Sequence, residues 1–141
     1  MRTFTQQIAS GRLKVQARCQ EIGQDILISI WGGNRPHIGA LGVALPRPSL
    51  RNPKRWSATS SNFTFVGHKE DTLVRKVSER LAARLKRNVV VVAGLHWDDL
   101  KAREIRKVEQ LTQRLADGIL EKIASREKKK KARKAESKAK A

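Results

Sequence analysis

Cysteines and acidic residues are scarce in this chain, and the scarcity of cysteine excludes whole classes of protein. Cys19 is the only cysteine among 141 residues, which rules out an intrachain disulfide and a zinc site built on paired cysteines. The sequence also lacks a long apolar segment and has no hydrophobic stretch after its first residues. We therefore expect a cytoplasmic protein that neither spans a membrane nor is exported.

The shortage of acidic residues makes the chain strongly basic. Thirteen aspartates and glutamates stand against 31 lysines and arginines, for a net charge of +18. Residues 126–141 carry +7 of this charge and residues 1–125 carry +11. A positive field of this size favours anionic partners, such as phosphorylated small molecules, nucleic acid or an acidic protein surface.

The C-terminal segment differs from the rest of the chain in composition. Residues 126–141 hold no apolar side chain larger than alanine, so they have nothing to bury in a core. This predicts a single ligand-binding domain at residues 1–125, followed by a disordered lysine-rich tail. Such a tail improves solubility or touches nucleic acid only nonspecifically.

The hydrophobic pattern predicts an α+β fold. Leu13, Val15 and Ala17 alternate with polar residues, as in a half-buried strand, and residues 89–93 form a continuous apolar run. β-like runs occur at residues 3–8, 12–20, 26–31, 38–45, 62–66 and 89–93, and helical patterns begin near Glu70 or Asp71 and near Asp98 or Asp99. We interpret them as about five strands and two helices in the order β-β-β-β-α-β-α. The expected fold is a two-layer sandwich, with both helices on one face of a mixed, mainly antiparallel sheet.

Two expectations about connections follow from this pattern. The runs at 26–31 and 38–45 are expected to pair as a hairpin with His37 near its tip. Residues 46–61 are rich in proline and serine and are expected to form a long irregular loop, of a length that is usually functional. Within that loop Arg47 lies between two prolines, on a stiff backbone that suits either an anion clamp or a solvated loop position.

All three histidines lie beside glycine at a predicted chain reversal. His68 and His96 follow two strands of a β-α-β unit, whose strands should be parallel, so both belong at one edge of the sheet. His37 joins them there if run 38–45 is antiparallel to run 62–66. The N-terminus of the first helix and Lys69 add positive charge at this edge, which favours a bound phosphate.

The histidine pattern leaves three interpretations open. The imidazoles are unrelated solvated loop residues, or they bind a divalent metal ion together with nearby carboxylates, or they line a metal-free site for a polar ligand. A metal site would use His37, His68 and His96. Trp31 and Trp97 flank the same edge and either pack in the protein or stack on a planar ring.

Five blocks of the sequence resemble the prenylated-flavin chaperone family, whose members are similar to the small D component found with gallate-type hydroxyarylic acid decarboxylases. These blocks are Gly32–Ala40, Pro46–Leu50, Ser57–Ser61, Gly67–Asp71 and Gly94–His96. The resemblance implies a small non-catalytic protein that binds prenylated flavin mononucleotide (FMN) and passes it from a flavin prenyltransferase to a prenylated-flavin-dependent decarboxylase. The candidate binding residues within the matching blocks are His37, Arg47, Ser49, Ser60, His68, Lys69 and His96.

The residue pattern is compatible with this resemblance and leaves two alternative functions open. A flavin nucleotide offers a phosphate dianion and a flat ring, and the chain offers basic charge, a helix N-terminus, histidines and tryptophans. The first alternative is a small metal- or histidine-dependent lyase or aldolase that acts on a pteridine-like ring. The second is a charge-driven nucleic-acid-binding module. The chain shows no evident nucleophile–base pair.

The 46–61 loop falls at the opposite edge from the histidines, so it serves another site or reaches the histidine edge of a neighbour in a homo-oligomer.

Overall fold

Residues 1–65 and 70–141 are described by a computed structural model of the chain. Within them, six strands and two helices follow in the order β-β-β-β-β-α-β-α. The elements are β1 (Arg2–Ser10), β2 (Leu13–Ile22), β3 (Asp25–Gly33), β4 (Ala40–Pro48), β5 (Trp56–Thr64), α1 (Asp71–Leu85), β6 (Val89–His96) and α2 (Ala102–Ala139). The predicted α+β class is confirmed, with one strand more than expected.

The six strands form one mixed sheet in the order β1-β2-β3-β6-β4-β5. β3 and β6 are parallel, with Ile28 opposite Val91, and the other neighbours are antiparallel. Since β4 is antiparallel to both β5 and β6, those two strands run in the same direction, as the β-α-β pattern predicts. The expected hairpin between runs 26–31 and 38–45 is wrong, because β6 lies between β3 and β4. The apolar run 89–93 takes a central place in the sheet, and Val89, Val91 and Ala93 are buried on the face that the helices cover.

Both helices cover the same face of the sheet, as predicted. α1 packs on β4, β5 and β6, and α2 packs on β1 and β2 and against α1. Side chains from this face and from both helices form one buried core, which includes Val15, Ile28, Val91, Val74, Leu81, Leu111, Ile119 and Ile123. In the described part of the chain, neither helix packs on the other face of the sheet.

The long irregular loop expected at residues 46–61 is wrong. β4 continues to Pro48 and β5 begins at Trp56, which leaves only residues 49–55 as a connection. Proline is tolerated in β4 because β6 pairs with this strand only as far as Ala44. Beyond that residue one side of β4 is free, so Pro46 and Pro48 interrupt no hydrogen bond to β6.

The expected disordered tail is also wrong, since α2 runs without a break to Ala139. Its last buried residue is Ile123, and the basic segment continues the helix beyond the core. Arg126 stacks over the Phe4 ring at 4.8 Å, and Arg87 lies 3.4 Å from the Glu127 carboxylate. Lysine, arginine, alanine and glutamate are good helix formers, so they extend a helix that the core has already nucleated. The lack of large apolar side chains in residues 126–141 thus correctly predicted that this segment lies outside the core, but it wrongly predicted that the segment is disordered.

The start of α2 also differs from the expectation. Asp98 and Asp99 lie ahead of the helix, which begins at Ala102 with Lys101 as its N-cap residue. The Lys101 backbone N–H donates to Glu104 at 2.9 Å. The side chain that satisfies the helix start thus lies inside the first turn, rather than at either aspartate.

Candidate functional site

One end of the sheet gathers segments that are far apart in the sequence. We call it the histidine end and define it by residues 33–39 and 94–101, where β3 and β6 finish and β4 starts. His37 lies just before β4, and His96 is the last residue of β6. Since α1 and α2 both begin near this end, the partial positive charges of two helix N-termini lie close to it. His68 and Lys69 fall outside the described residues.

A missing side chain allows the histidine segments to meet. Gly94 lies two residues before His96, and a Cβ atom built on it would come within 1.7 Å of the His37 carbonyl oxygen. The adjacent Gly39 N–H donates to the Ala93 carbonyl at 2.8 Å. Glycine at position 94 therefore lets the chain around His37 lie directly on the end of β6.

His37 is held by two hydrogen bonds at its ring nitrogens. Nε2 lies 2.9 Å from Glu70 Oε1, and Nδ1 lies 3.0 Å from the Arg35 carbonyl oxygen. The Arg35 carbonyl oxygen can only accept a hydrogen bond, so Nδ1 donates to it. Glu70 also accepts a bond from the Leu95 N–H at 3.3 Å. The pair thus joins the approach to β4, the end of β6 and the start of α1.

His96 belongs to a second polar group at the same end. Its Nε2 lies 3.1 Å from Asp98 Oδ1, and Arg35 Nε lies 3.5 Å from the same oxygen. The Asn34 amide donates to the other Asp98 oxygen and accepts from the Asp98 N–H at 3.0 Å. Two hydrogen bonds lower the pKa of Asp98, and the bond from Asn34 has a larger effect than the bond from His96. The charged carboxylate therefore links residues 34–35 to the end of β6.

A cleft of about 790 Å³ opens between the N-terminal halves of α1 and α2, beside the end of β6. Its volume is in the range typical of small-molecule sites. His37, Glu70 and His96 contribute polar groups to its lining. Its apolar lining comes from Leu73, Leu95, Trp97, Leu100, Ile105 and Val108.

Two cations that sequence reasoning missed also line the cleft. Lys76 comes from α1 and Arg114 from α2. Among residues 1–65 and 70–141, neither has a carboxylate within ion-pair distance, whereas Arg12, Arg80 and Arg87 are paired. No motif marks these two positions, because they become neighbours of one cavity only when the two helices lie side by side.

The two candidate tryptophans lie in different environments. Trp97 is 7% exposed, lines the cleft and donates its Nε1–H to the Arg12 carbonyl at 3.3 Å. Trp31 follows the buried Ile30 in β3, so its side chain points to the face that the helices leave uncovered. The structure thus brings Trp97, but not Trp31, to the cleft.

The remaining candidates lie away from the cleft. Arg47 donates to Thr59 Oγ1 at 2.7 Å and to the Pro48 carbonyl at 3.1 Å. The Ser49 hydroxyl accepts backbone N–H bonds within loop 49–55, and Ser60 bonds Glu79 at 2.5 Å, which joins β5 to α1. Because β4 separates His37 from Arg47, they are roughly 30 Å apart. We call the end with Arg47, loop 49–55 and turn 23–24 the far end.

The described ranges contain no cluster of three or more histidine, cysteine, aspartate or glutamate side chains arranged to hold a metal ion. His68 is not among those residues, so a metal site at His37, His68 and His96 stays a prediction. Within the same ranges, no helix is both long and apolar enough to cross a bilayer.

Comparison with known proteins identifies the family. A family model described as the prenylated flavin chaperone LpdD-like domain matches residues 9–124. The chain belongs to the prenylated-flavin chaperone family. The resemblance of the five sequence blocks is thereby confirmed. The family region ends one residue after Ile123, the last buried residue of α2, so the basic helical extension lies outside it.

One curated member of the family and one solved structure illustrate how far the likeness extends. Protein LpdD of Lactiplantibacillus plantarum is 27% identical over 120 residues, which cover 85% of this chain and 83% of that protein. A structure described as a novel chaperone complex for yeast 20S proteasome assembly aligns with a TM-score of 0.48 at 13% identity. That alignment covers 91% of this chain and 95% of the other.

Proposed function

We propose that this protein binds prenylated FMN in the cleft at the histidine end and passes it from a flavin prenyltransferase to a prenylated-flavin-dependent decarboxylase. Membership of the prenylated-flavin chaperone family supports the ligand class. The observation that carries the location is the cleft itself, where an apolar lining, an imidazole–carboxylate pair and two cations without an ion-pair partner among the described residues line one cavity.

The apolar side of the cleft suits the ring system of a prenylated flavin. Trp97 presents an aromatic ring, and Leu100, Ile105 and Val108 add aliphatic surface. Flat, largely apolar ligands gain most of their binding free energy from such surface, while a few polar groups set their orientation. His37 and Glu70 are suited to that second task, because their bonds to the backbone hold both side chains in place.

The cations suit the phosphate of the same ligand. Lys76 and Arg114 line the cleft from opposite helices, and we expect the phosphate of a bound ligand to lie beside one or both of them. Guanidinium and ammonium groups bind phosphate through charge-assisted hydrogen bonds.

A carrier must also release its cargo. The cleft is open at the surface between two helices, so a ligand can leave without disturbing the buried core. The cofactor carries the reactive chemistry, and the protein supplies binding, orientation and shelter from water. This division of tasks is compatible with a non-catalytic role.

Anaerobic calorimetry with reduced prenylated FMN and its dephosphorylated form tests the proposal. We expect Lys76→Met and Arg114→Met each to weaken binding of the phosphorylated ligand about tenfold, or about 1.4 kcal/mol. Both variants should bind the dephosphorylated ligand as the unchanged protein does. Arg75→Met is the matched control, since Arg75 is an exposed neighbour of Lys76 that does not line the cleft.

Failure of the unchanged protein to bind the cofactor would disprove the proposed function. Equal losses in the Arg75 control would instead disprove a specific phosphate contact. The transfer step has its own readout, which is the rate at which loaded protein restores activity to a cofactor-free decarboxylase. Free cofactor at equal concentration should restore activity more slowly than loaded protein.

A further inference from the structure

The basic helical extension lies at the opposite end of the molecule from the cleft. We define it as residues 125–139, which continue α2 beyond its last buried residue, Ile123. Its first turn lies beside turn 23–24 at the far end, whereas the cleft lies between the N-terminal halves of the two helices. The extension also follows the last residue that the family model matches. A role for it must therefore be sought outside the cleft.

Cations occupy two sides of the extension. With 3.6 residues per turn, residues three or four positions apart share one side of a helix. The inner stripe consists of Arg126, Lys129, Lys130 and Arg133, and the outer stripe consists of Lys128, Lys131, Lys134 and Lys138. The centres of these two stripes are roughly 150° apart around the helix axis. The helix thus presents positive charge in two nearly opposite directions.

The inner stripe lines a groove of about 450 Å³ between the extension and the start of β1. Arg2 and Thr3 line the same groove from the strand. Arg126 is held there because its guanidinium lies over the Phe4 ring at 4.8 Å. Within the described part of the chain, no carboxylate lines the groove. Five cations and one hydroxyl therefore surround it, and such groups bind phosphate oxygens.

Few carboxylates neutralise the cations of the extension. Its two acidic residues are Glu127 and Glu136, and Glu127 lies 3.4 Å from Arg87, outside the extension. Arg126 lies 3.9 Å from Glu21; among the described residues, the other cations of the two stripes have no carboxylate within ion-pair distance. Like charges three or four residues apart destabilise a helix, so a bound polyanion would relieve their repulsion.

The composition of the extension favours nucleic acid over a protein or a membrane. Protein interfaces have an apolar centre, and interfacial membrane helices have an apolar face. Residues 126–141 hold no apolar side chain larger than alanine. Nucleic acid needs no apolar contact, because neutralisation of its phosphates releases bound counterions.

The surroundings of the groove favour a duplex over a single strand. Single-stranded nucleic acid gains much of its binding free energy from bases that stack on exposed aromatic rings. Phe4 is 7% exposed and is covered by Lys122 and Arg126. Its ring therefore offers no stacking surface, and the phosphate backbone is the part of the ligand that the cations can reach.

We propose that the basic helical extension binds duplex DNA through the phosphates that border its major groove. A helix with its side chains is about 10–12 Å wide, and the major groove of B-form DNA is about 12 Å wide. The two DNA strands border that groove on opposite sides, as the two cationic stripes border the extension. The major groove of A-form RNA is deep and narrow and does not accept a helix in this way. The cleft lies at the other end, so this inference is independent of flavin binding.

Fluorescence anisotropy of the full chain with a labelled duplex of mixed sequence, roughly 20 base pairs or two helical turns long, tests the proposal. The inner-stripe variant is Lys129→Gln, Lys130→Gln, Arg133→Gln, and the outer-stripe variant is Lys128→Gln, Lys131→Gln, Lys134→Gln. Each should weaken binding about tenfold. The plot of log affinity against log salt should become shallower by roughly 2.7, because each lost phosphate contact contributes about 0.9. Glutamine is a good helix former, and circular dichroism checks that the helix persists.

The matched control removes the same amount of charge from loop 49–55. Arg51, Lys54 and Arg55 are exposed there, and the variant Arg51→Gln, Lys54→Gln, Arg55→Gln should change the affinity about twofold at most. Exposed charges more than about 8 Å from the DNA are largely screened at physiological salt. An equal loss in this control would show that net charge, rather than the extension, attracts the DNA, and would overturn the proposal.

Duplex RNA of the same length and polyglutamate are the competing probes. DNA should bind more tightly than either, because its groove fits the helix and its phosphates match both stripes. Tighter binding of RNA would contradict the fit to the major groove, and tighter binding of polyglutamate would indicate an acidic protein as the partner. Either result, a lack of DNA binding, or full affinity in one of the stripe variants would overturn the proposal.

Discussion

The histidine end of the sheet and loop 49–55 at the far end are held together by different kinds of contact. At the histidine end, His37 bonds Glu70, Asn34 bonds Asp98, and Arg12 bonds Glu104 across 92 positions of sequence. At the far end, loop 49–55 is closed by bonds between residues two to six positions apart, such as those to the Ser49 hydroxyl and the bond from the Ser49 N–H to the Arg55 carbonyl. Contacts between distant segments form the cleft at the histidine end, whereas contacts between near neighbours in the sequence close loop 49–55.

This difference shows that a distinctive local sequence is a poor guide to the location of a site. The Pro46-Arg47-Pro48 segment looks specialised, yet Arg47 contacts only Thr59 and its own neighbour Pro48 among the hydrogen bonds of the described chain. Lys76 and Arg114 belong to ordinary helical segments, yet both line the cleft. Position in the fold, rather than local sequence, puts a cation beside a cavity.

The largest effect on stability should come from adding a methyl group at Gly94, where the segment around His37 packs against the end of β6. A Cβ at Gly94 would lie 1.7 Å from the His37 carbonyl oxygen, so Gly94→Ala must displace backbone. We expect a loss of about 3 kcal/mol of unfolding free energy. At the far end, Gly23 has φ +61° and no neighbouring atom within 4 Å of an added Cβ. Gly23→Ala should therefore cost only the left-handed conformation, about 1 kcal/mol. Denaturant unfolding measures both, and equal losses would contradict the close approach at Gly94.

A smaller effect should appear when the imidazole–carboxylate pair is broken. Glu70→Gln keeps the shape of the side chain but removes the charge that faces His37, so the start of α1 is held less firmly. We expect prenylated FMN to bind about tenfold more weakly, a change of about 1.4 kcal/mol. Arg47→Gln at the far end should leave the affinity unchanged. Calorimetry separates the two, and an equal loss in the Arg47 variant would mean that both ends contribute to one binding site.

The smallest effect concerns acid stability at the histidine end. Arg12 bonds both carboxylate oxygens of Glu104 at 3.0 and 3.1 Å, and this contact lowers the pKa of Glu104 to about 2. A lowered folded-state pKa stabilises the fold above the ordinary value of 4.5, and that stabilisation is lost as the pH falls from there towards 2. Arg12→Gln should reduce this acid dependence, because the pKa then returns towards its ordinary value. The pair is exposed, so the change should be small.

Unfolding midpoints in urea between neutral and acidic pH measure that change. Arg47→Gln is again the control, since the side chain that Arg47 bonds is the neutral hydroxyl of Thr59. Its acid dependence should match that of the unchanged protein. An Arg12 variant with the same acid dependence as the unchanged protein would show that Glu104 gains nothing from the guanidinium.

The sequence by itself determined the elements whose formation depends on local pattern. Alternation at Leu13, Val15 and Ala17 predicts β2, helical spacing from Val74 to Leu81 predicts α1, and the five sequence blocks taken together are sufficient to indicate the family. These features are local because side-chain periodicity and turn chemistry act over a few residues. The parallel direction of β5 and β6 also follows from a local rule, since α1 connects them.

Only the tertiary structure decided which of these elements became neighbours. The central place of β6 separated β3 from β4, the pairing of β4 with β5 turned an expected loop into strands, and the core that ends at Ile123 supported a helix through the basic segment. The cleft arose in the same way, because Lys76 and Arg114 line one cavity only when α1 and α2 pack side by side. Competition for burial and hydrogen bonds among distant segments settles such choices, and no short stretch of sequence contains that information.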